Sequence, residues 1–199
     1  MKKVVVFGAS GKTGKYIVRK VNSLNEVELT LFVRTPSKLD EIDLADVKVI
    51  QGDALNEKGV KKAMAGQDIL ICSLEGDVLT MARNIVTVLN ETSVKRIIWI
   101  TGMGIHHEIK GIRGKMLGIL AKTRPDYIKA ADTIAACDAV TTLLRCPGIE
   151  DGENEKYYIT NEKEQPRKKN IERAGIAKCI ADMIFDNSLG ANDSLGITN

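Results

Sequence analysis

The stretch Val4-Val5-Val6-Phe7-Gly8-Ala9-Ser10-Gly11-Lys12-Thr13-Gly14 decides the reading of this chain. Val4 to Phe7 form a compact apolar run, and three glycines in a G-x-x-G-x-x-G pattern follow at once. Helical periodicity then begins, from Lys12 to Val21. At a strand-to-helix turn each glycine has a physical task. Gly8 permits the tight turn, Gly11 lets the backbone approach a pyrophosphate, and Gly14 allows the helix to pack closely on the strand. The helix N-terminus then offers free N–H groups and the positive end of its dipole to phosphate oxygens. Gly8, Ser10, Gly11, Lys12, Thr13 and Gly14 are therefore the candidates for holding a dinucleotide. The plainer reading, a turn that merely needs glycine, does not account for three glycines in strand-to-helix register. Gly11-Lys12-Thr13 also resembles the end of a triphosphate-binding P-loop, but that motif needs a glycine where Val6 stands in mid-strand.

Outward from this turn, short apolar runs alternate with helical patterns. Strands are expected at Leu29 to Val33, Val47 to Gln51, Ile69 to Cys72, Ile97 to Ile100 and Val140 to Leu144. Helices are expected at Glu57 to Ala65, Val78 to Leu89, Tyr127 to Cys137 and Ala174 to Phe185. This alternation predicts an α/β fold, a doubly wound parallel sheet of Rossmann type covered on both faces. The stretch from Gly102 to Pro125 breaks the rhythm with five glycines and many Lys and Arg. It reads as a long loop at the carboxyl end of the sheet, a substrate lid, with at most a short helix over Lys115 to Lys122. The chain turns polar after Pro147-Gly148, and Tyr157 to Thr160 reads as a short strand. Without linker or repeat, residues 1–199 read as one domain, with 150–199 as a small C-terminal substrate-side extension.

Composition narrows the function. A chain of 199 residues, 44% hydrophobic and 28% charged, matches one soluble globular domain. Aromatic residues make up only 4%, which suits a sheet buried between helices better than a base-stacking surface. The net charge of +3 is too mild for a nucleic-acid binder. The local basic cluster Lys163, Arg167, Lys168, Lys169 and Arg173 reads as a solvated loop. None of the four cysteines is spaced as C-x-x-C, so neither a zinc site nor a redox motif is expected. There is no signal-peptide pattern at the start, and no apolar run nears the roughly 18 residues of a membrane span. The expectation is a cytoplasmic protein with no membrane and no metal, a monomer or homodimer acting on a small-molecule substrate.

The second strand bears on the choice of dinucleotide. An Asp or Glu about 20 residues beyond the glycine turn would hold a ribose 2′-hydroxyl. Here the strand ends Phe32-Val33-Arg34-Thr35-Pro36-Ser37-Lys38, and no carboxylate appears before Asp40. A guanidinium at Arg34 can grip a 2′-phosphate bidentately, with Ser37 or Lys38 assisting. The plain alternative is a surface arginine at a strand end. NADP (NADPH) is the expected cofactor.

These pieces resemble a known group. With GASGKTG at the start, FVRTPSKL, QGDALN, ILICSL, IIWITGMG, TTLLRCPGI and the tail IERAGIAKCIADMIF, the chain resembles the atypical short-chain dehydrogenase/reductases of the NmrA-like and biliverdin-reductase-B-like kind. The resemblance implies that Asp53 and Ala54 face the adenine. It implies that Cys72 and Ser73 lie along the nicotinamide side. It places Thr101 near the nicotinamide and Cys146 to Gly148 on the far side of that pocket.

Many relatives pair a tyrosine with a lysine four residues on, the lysine lowering the pKa of the proton-transferring hydroxyl. Here Tyr127 is followed by Ala131, and Lys129 lies on another helical face. Aligned on TTLLR instead, Thr123 takes the tyrosine position and Tyr127 the lysine position, and the pair is again incomplete. Thr101 and Tyr127 stand as the catalytic candidates. His106 and His107, in the glycine-rich stretch, are alternative proton donors or plain polar surface. The leading expectation is an NADPH-dependent oxidoreductase of a small planar (flavin- or quinone-like) or carbonyl substrate. The alternative is a non-catalytic NADP(H) redox sensor of NmrA type, acting through a protein partner. A sugar-nucleotide epimerase or dehydratase is a weaker third reading, since such enzymes lean on the same missing pair.

Overall fold

The computed structural model describes residues 1–39, 44–106 and 109–199, less the side chains at positions 113, 117, 118 and 120–122. The chain runs β1 (Lys2–Phe7), α1 (Lys12–Asn22), β2 (Val27–Val33), β3 (Lys48–Gln51), α2 (Glu57–Met64), β4 (Ile69–Cys72), α3 (Val78–Leu89) and β5 (Arg96–Gly102). It continues with α4 (Gly111–Thr123), α5 (Pro125–Ala135), β6 (Val140–Cys146), β7 (Gly148–Glu150), β8 (Tyr158–Thr160), β9 (Asn170–Glu172), α6 (Arg173–Phe185) and β10 (Asp193–Thr198). The main sheet has the order β3-β2-β1-β4-β5-β6-β10-β8. Every pairing in it is parallel except β10 with β8. The first six strands thus follow the 3-2-1-4-5-6 order of a doubly wound dinucleotide-binding sheet. The order reverses between β1 and β4, and a crevice opens there beyond the strands' carboxyl ends.

Alternation along β1 explains why both faces are covered. Val4 and Val6 pack with Ile17, Val18 and Val21 of α1 and with Ile176 and Ile180 of α6. Val5 and Phe7 point the other way, into Val60 and Met64 of α2, Met81 and Ile85 of α3 and Ile134 of α5. All four strand residues are fully buried, and each such side chain contributes about 1.5–3 kcal/mol relative to exposure. The run reads as uniformly apolar rather than alternating for that reason.

Three segments depart from the sequence reading. The stretch after β5 is a helix, α4, rather than a long loop. A Cβ at Gly114 would lie 1.7 Å from the carbonyl oxygen of Ile109, so glycine there lets the helix close onto the chain that precedes it. Its cost in helix propensity is thereby offset by packing. β10 was not foreseen, although it extends the sheet beyond β6. The β7–β9 ladder was also missed; it pairs Gly148 with Asn170, Ile149 with Ile171 and Glu150 with Glu172. Residues after 150 therefore share the main core: β8 and β10 enlarge the sheet, and Ile176, Ile180 and Met183 of α6 bury against the α1 side.

Candidate active site

The glycine turn binds three elements together. Gly8 has φ +80°, and a Cβ on it would stand 2.0 Å from the carbonyl oxygen of Ser73, so the exits of β1 and β4 touch through it. A Cβ on Gly14 would stand 2.1 Å from the carbonyl oxygen of Gly8, which fixes how tightly α1 sits on the turn. Gly11 is different. The nearest atom to a Cβ there is the Gly8 oxygen at 3.2 Å, and the residue is exposed. A side chain at Gly11 would press on the turn far less than one at Gly8 or Gly14, and it would project into open space.

The start of α1 is also left open. No side chain caps it, and its first turn carries no acid. The next two helices satisfy their own N-termini: Asn56 Oδ1 accepts from the Gly59 N–H at 3.0 Å, and Asp77 Oδ1 accepts from the Thr80 N–H at 3.1 Å. An uncapped N-terminus with Lys12 in its first turn is set up for an anion that the chain does not supply.

A groove of about 630 Å³ runs over this turn, lined by Gly8, Ser10, Gly11, Lys12 and Thr13. Arg34 and Lys38 line it beyond the end of β2, and the Arg34 carbonyl accepts from Gln51 Nε2 at 3.3 Å. Asp53 and Ala54 form another part of the wall. Asp53 Oδ1 accepts the Leu55 N–H at 3.0 Å and so also holds its own turn, while Asn84 Nδ2 donates to the Ala54 carbonyl at 3.0 Å. Cations at one end, an open helix N-terminus in the middle and a small residue at the wall suit an adenosine phosphate ester. Residues 8–187 match the family model described as NAD(P)H-binding. The chain belongs to this NAD(P)H-binding family.

Solved structures similar to this NAD(P)H-binding protein share its fold. A Rossmann-fold NAD(P)-binding family protein from Shigella flexneri is 28% identical with a TM-score of 0.84, covering 100% of this chain and 94% of that one. A wide-type short-chain dehydrogenase/reductase from Veillonella parvula, solved in complex with NADP, is 20% identical with a TM-score of 0.84, covering 100% and 94%. ChuY, an anaerobillin reductase from Escherichia coli O157:H7, is 16% identical with a TM-score of 0.81, covering 99% and 97%.

The groove continues into a second cavity of about 830 Å³, sharing Thr13, Ser73, Leu74, Glu75 and Ile149 with the first. Thr101, Thr123, Tyr127 and Cys146 line this chamber. Thr101 is 6% exposed, and its buried Oγ1 has no hydrogen-bond partner among the described residues. Tyr127 Oη accepts the Gly76 N–H at 3.3 Å, and the Arg124 guanidinium lies 5.7 Å from its ring centre. Ala131 is fully buried, and Lys129 turns to Asp126 at 3.9 Å, so neither sequence alignment places a lysine beside the Tyr127 hydroxyl. Burial pushes the Cys146 thiol up, so it stands in the wall as a neutral group.

Other expected residues are placed elsewhere. Cys72 is fully buried in the core on the α2–α3 side and lines neither cavity, whereas its neighbour Ser73 lines both. In parallel strands successive side chains take opposite faces, and Ser73 sits at the strand end where the groove begins. Gly14 acts through packing. His106 does not face the chamber: its Nδ1 meets Glu162 Oε1 at 2.7 Å and its Nε2 meets Asp132 Oδ1 at 3.3 Å, which ties the segment after β5 to α5 and to the chain beyond β8. His107 lies outside the described residues. Burial alone would raise the Glu162 carboxyl; hydrogen bonds with His106 and Ser194 and the charges of His106 and Arg145 outweigh it and hold the group below its ordinary value. Arg173 corrects the solvated-loop reading: its side chain is 12% exposed and lines the groove over the glycine turn. Ile149 was not anticipated either, because its position depends on the β7–β9 ladder.

Proposed function

We propose that the chain is an NADP(H)-dependent oxidoreductase acting on a small planar, flavin- or quinone-like, or carbonyl substrate. The observation that carries this reading is the 830 Å³ chamber that opens from the cofactor groove at Thr101 and Tyr127. A protein that only senses its cofactor needs no such space beside the reacting ring. NADPH bound there supplies the hydride. Arg34 and Lys38 hold the 2′-phosphate, and the N–H groups at the start of α1 hold the pyrophosphate. Thr101 lines the chamber, and its buried hydroxyl, unpartnered among the described residues, would bind the nicotinamide amide or the substrate oxygen on turning toward the cavity, where a free polar group gains the most from a partner. Tyr127 contacts substrate in the chamber, no described lysine side chain stands beside its hydroxyl, and the proton comes from solvent. Electron-poor acceptors tolerate that arrangement better than ketones or alcohols do.

The test is consumption of NADPH by the purified protein across flavins, quinones and simple ketones. Turnover is expected with flavin- and quinone-type acceptors and little with ketones. Tight NADPH binding without turnover on any acceptor would overturn the reductase reading in favour of a sensor.

A further inference from the structure

Arg173 is the first residue of α6 and directly follows β9. Its side chain is 12% exposed, yet the charged group has only partial satisfaction: one guanidinium nitrogen donates to Asp151 Oδ1 at 2.6 Å, and the buried Nε has no partner. Asp151 is 71% exposed and follows β7 as Arg173 follows β9, so the ion pair continues the β7–β9 ladder by one rung beyond Glu150 and Glu172. The loop after Asp151 is fastened to the same place. A Cβ on Gly152 would lie 1.9 Å from Glu172 Oε2, and that oxygen accepts the Asn154 N–H at 2.9 Å. The guanidinium is therefore held in position by the C-terminal part of the fold rather than left to wander.

A nearly buried cation whose one carboxylate partner is itself largely exposed keeps charge to offer an anion that enters the groove it lines. Arg173 lines the groove beside the glycine turn and does not line the substrate chamber. Ile149, on the same ladder, stands at the junction of the two cavities. The phosphate that fits this position is not the one Arg34 faces, because Arg34 follows β2, on the other side of β1 from β4. We infer that Arg173 is a clamp on the cofactor's pyrophosphate, reaching it from the C-terminal segment across the groove from the N–H groups of α1. This rests on the NADP(H) reading above. It adds a side-chain contact to a phosphate site otherwise built from backbone. Asp151 holds one terminal guanidinium nitrogen at 2.6 Å, and the phosphate oxygens would meet the part of the guanidinium that lines the groove, while Nε stays buried behind it.

Calorimetric titration with two probes tests the clamp. NADPH carries both the pyrophosphate and the 2′-phosphate, whereas adenosine 2′-monophosphate carries only the latter. Arg173→Gln should weaken NADPH binding about 10- to 100-fold, the loss of one charge-assisted contact, and leave adenosine 2′-monophosphate within about twofold. Arg173→Lys should recover part of the NADPH affinity, because it restores charge without the fork. Arg34→Ala should weaken both probes. Unchanged NADPH affinity in Arg173→Gln, or an equal loss of both probes in Arg173→Gln and Arg173→Lys, overturns the clamp. If the wild-type protein binds neither probe, the NADP(H) reading itself falls, an outcome distinct from any result of the Arg173 variants.

Discussion

The two ends of the groove are built in different ways. The proposed phosphate end is made largely by one local stretch, residues 8–14, whose glycines and open helix start present backbone to the groove. The proposed reaction end is lined by side chains from distant segments: Thr101 from β5, Tyr127 from α5 and Cys146 from β6. A backbone site is sensitive to added bulk, because nothing can be removed from it. A side-chain site is sensitive to the loss of single polar groups. The contrast explains why the first is so readable in the sequence and the second is not.

The largest expected effect breaks the phosphate end. Gly11→Val should abolish NADPH binding, a loss above about 100-fold, with a fall in melting temperature smaller than at Gly14, since a Cβ there meets the Gly8 oxygen at 3.2 Å rather than 2.1 Å. Gly14→Ala should do the opposite first. Its Cβ would fall 2.1 Å from the Gly8 oxygen, so stability should drop by about 1–3 kcal/mol or more before binding is considered. If both variants behaved alike, in calorimetry and in thermal melts, the division between a packing glycine and a ligand-facing glycine would be wrong.

Next in size, Arg34→Ala should weaken NADPH by about 1.5–3 kcal/mol and leave NADH almost untouched. Equal losses for both, or a wild-type preference for NADH, would remove Arg34 from the 2′-phosphate. At the reaction end, Thr101→Val should lower turnover about tenfold while raising stability by about 1 kcal/mol, because an unpartnered buried hydroxyl is replaced by an isosteric methyl. Tyr127→Phe should change turnover by no more than about threefold, since proton delivery does not depend on it. A large loss in Tyr127→Phe would restore a tyrosine-centred mechanism.

The smallest effect lies away from the groove. Glu162 has a carboxyl held below its ordinary value, so the stability it contributes is present above about pH 4.5 and is lost as pH falls through the depressed folded value. Glu162→Gln should flatten that acid limb of the denaturation profile by only about 0.5 kcal/mol, because the pair with His106 is partly solvated. NADPH affinity at neutral pH should not move.

The residues that could be read ahead of the structure share one property. Their role is fixed by neighbours within a few positions. The strand, the G-x-x-G-x-x-G turn and the helix after it are consecutive. The expectation at Cys72 missed because a shift of one residue along a strand exchanges core for groove. The stretch around Gly114 reads as a loop because that glycine is a penalty locally and a fit only against Ile109.

The amino-acid sequence by itself therefore determined the doubly wound sheet and the glycine turn between β1 and α1, since apolar period and glycine spacing are local quantities. Only the tertiary structure decided that β10 and β8 complete the sheet, that Thr101 lines a chamber, and that Arg173 of the basic cluster lines the groove. Those outcomes depend on which distant segments meet. The free energy that selects them comes from burying the α1–α6 and α2–α3–α5 layers against the sheet, not from any preference of the residues concerned.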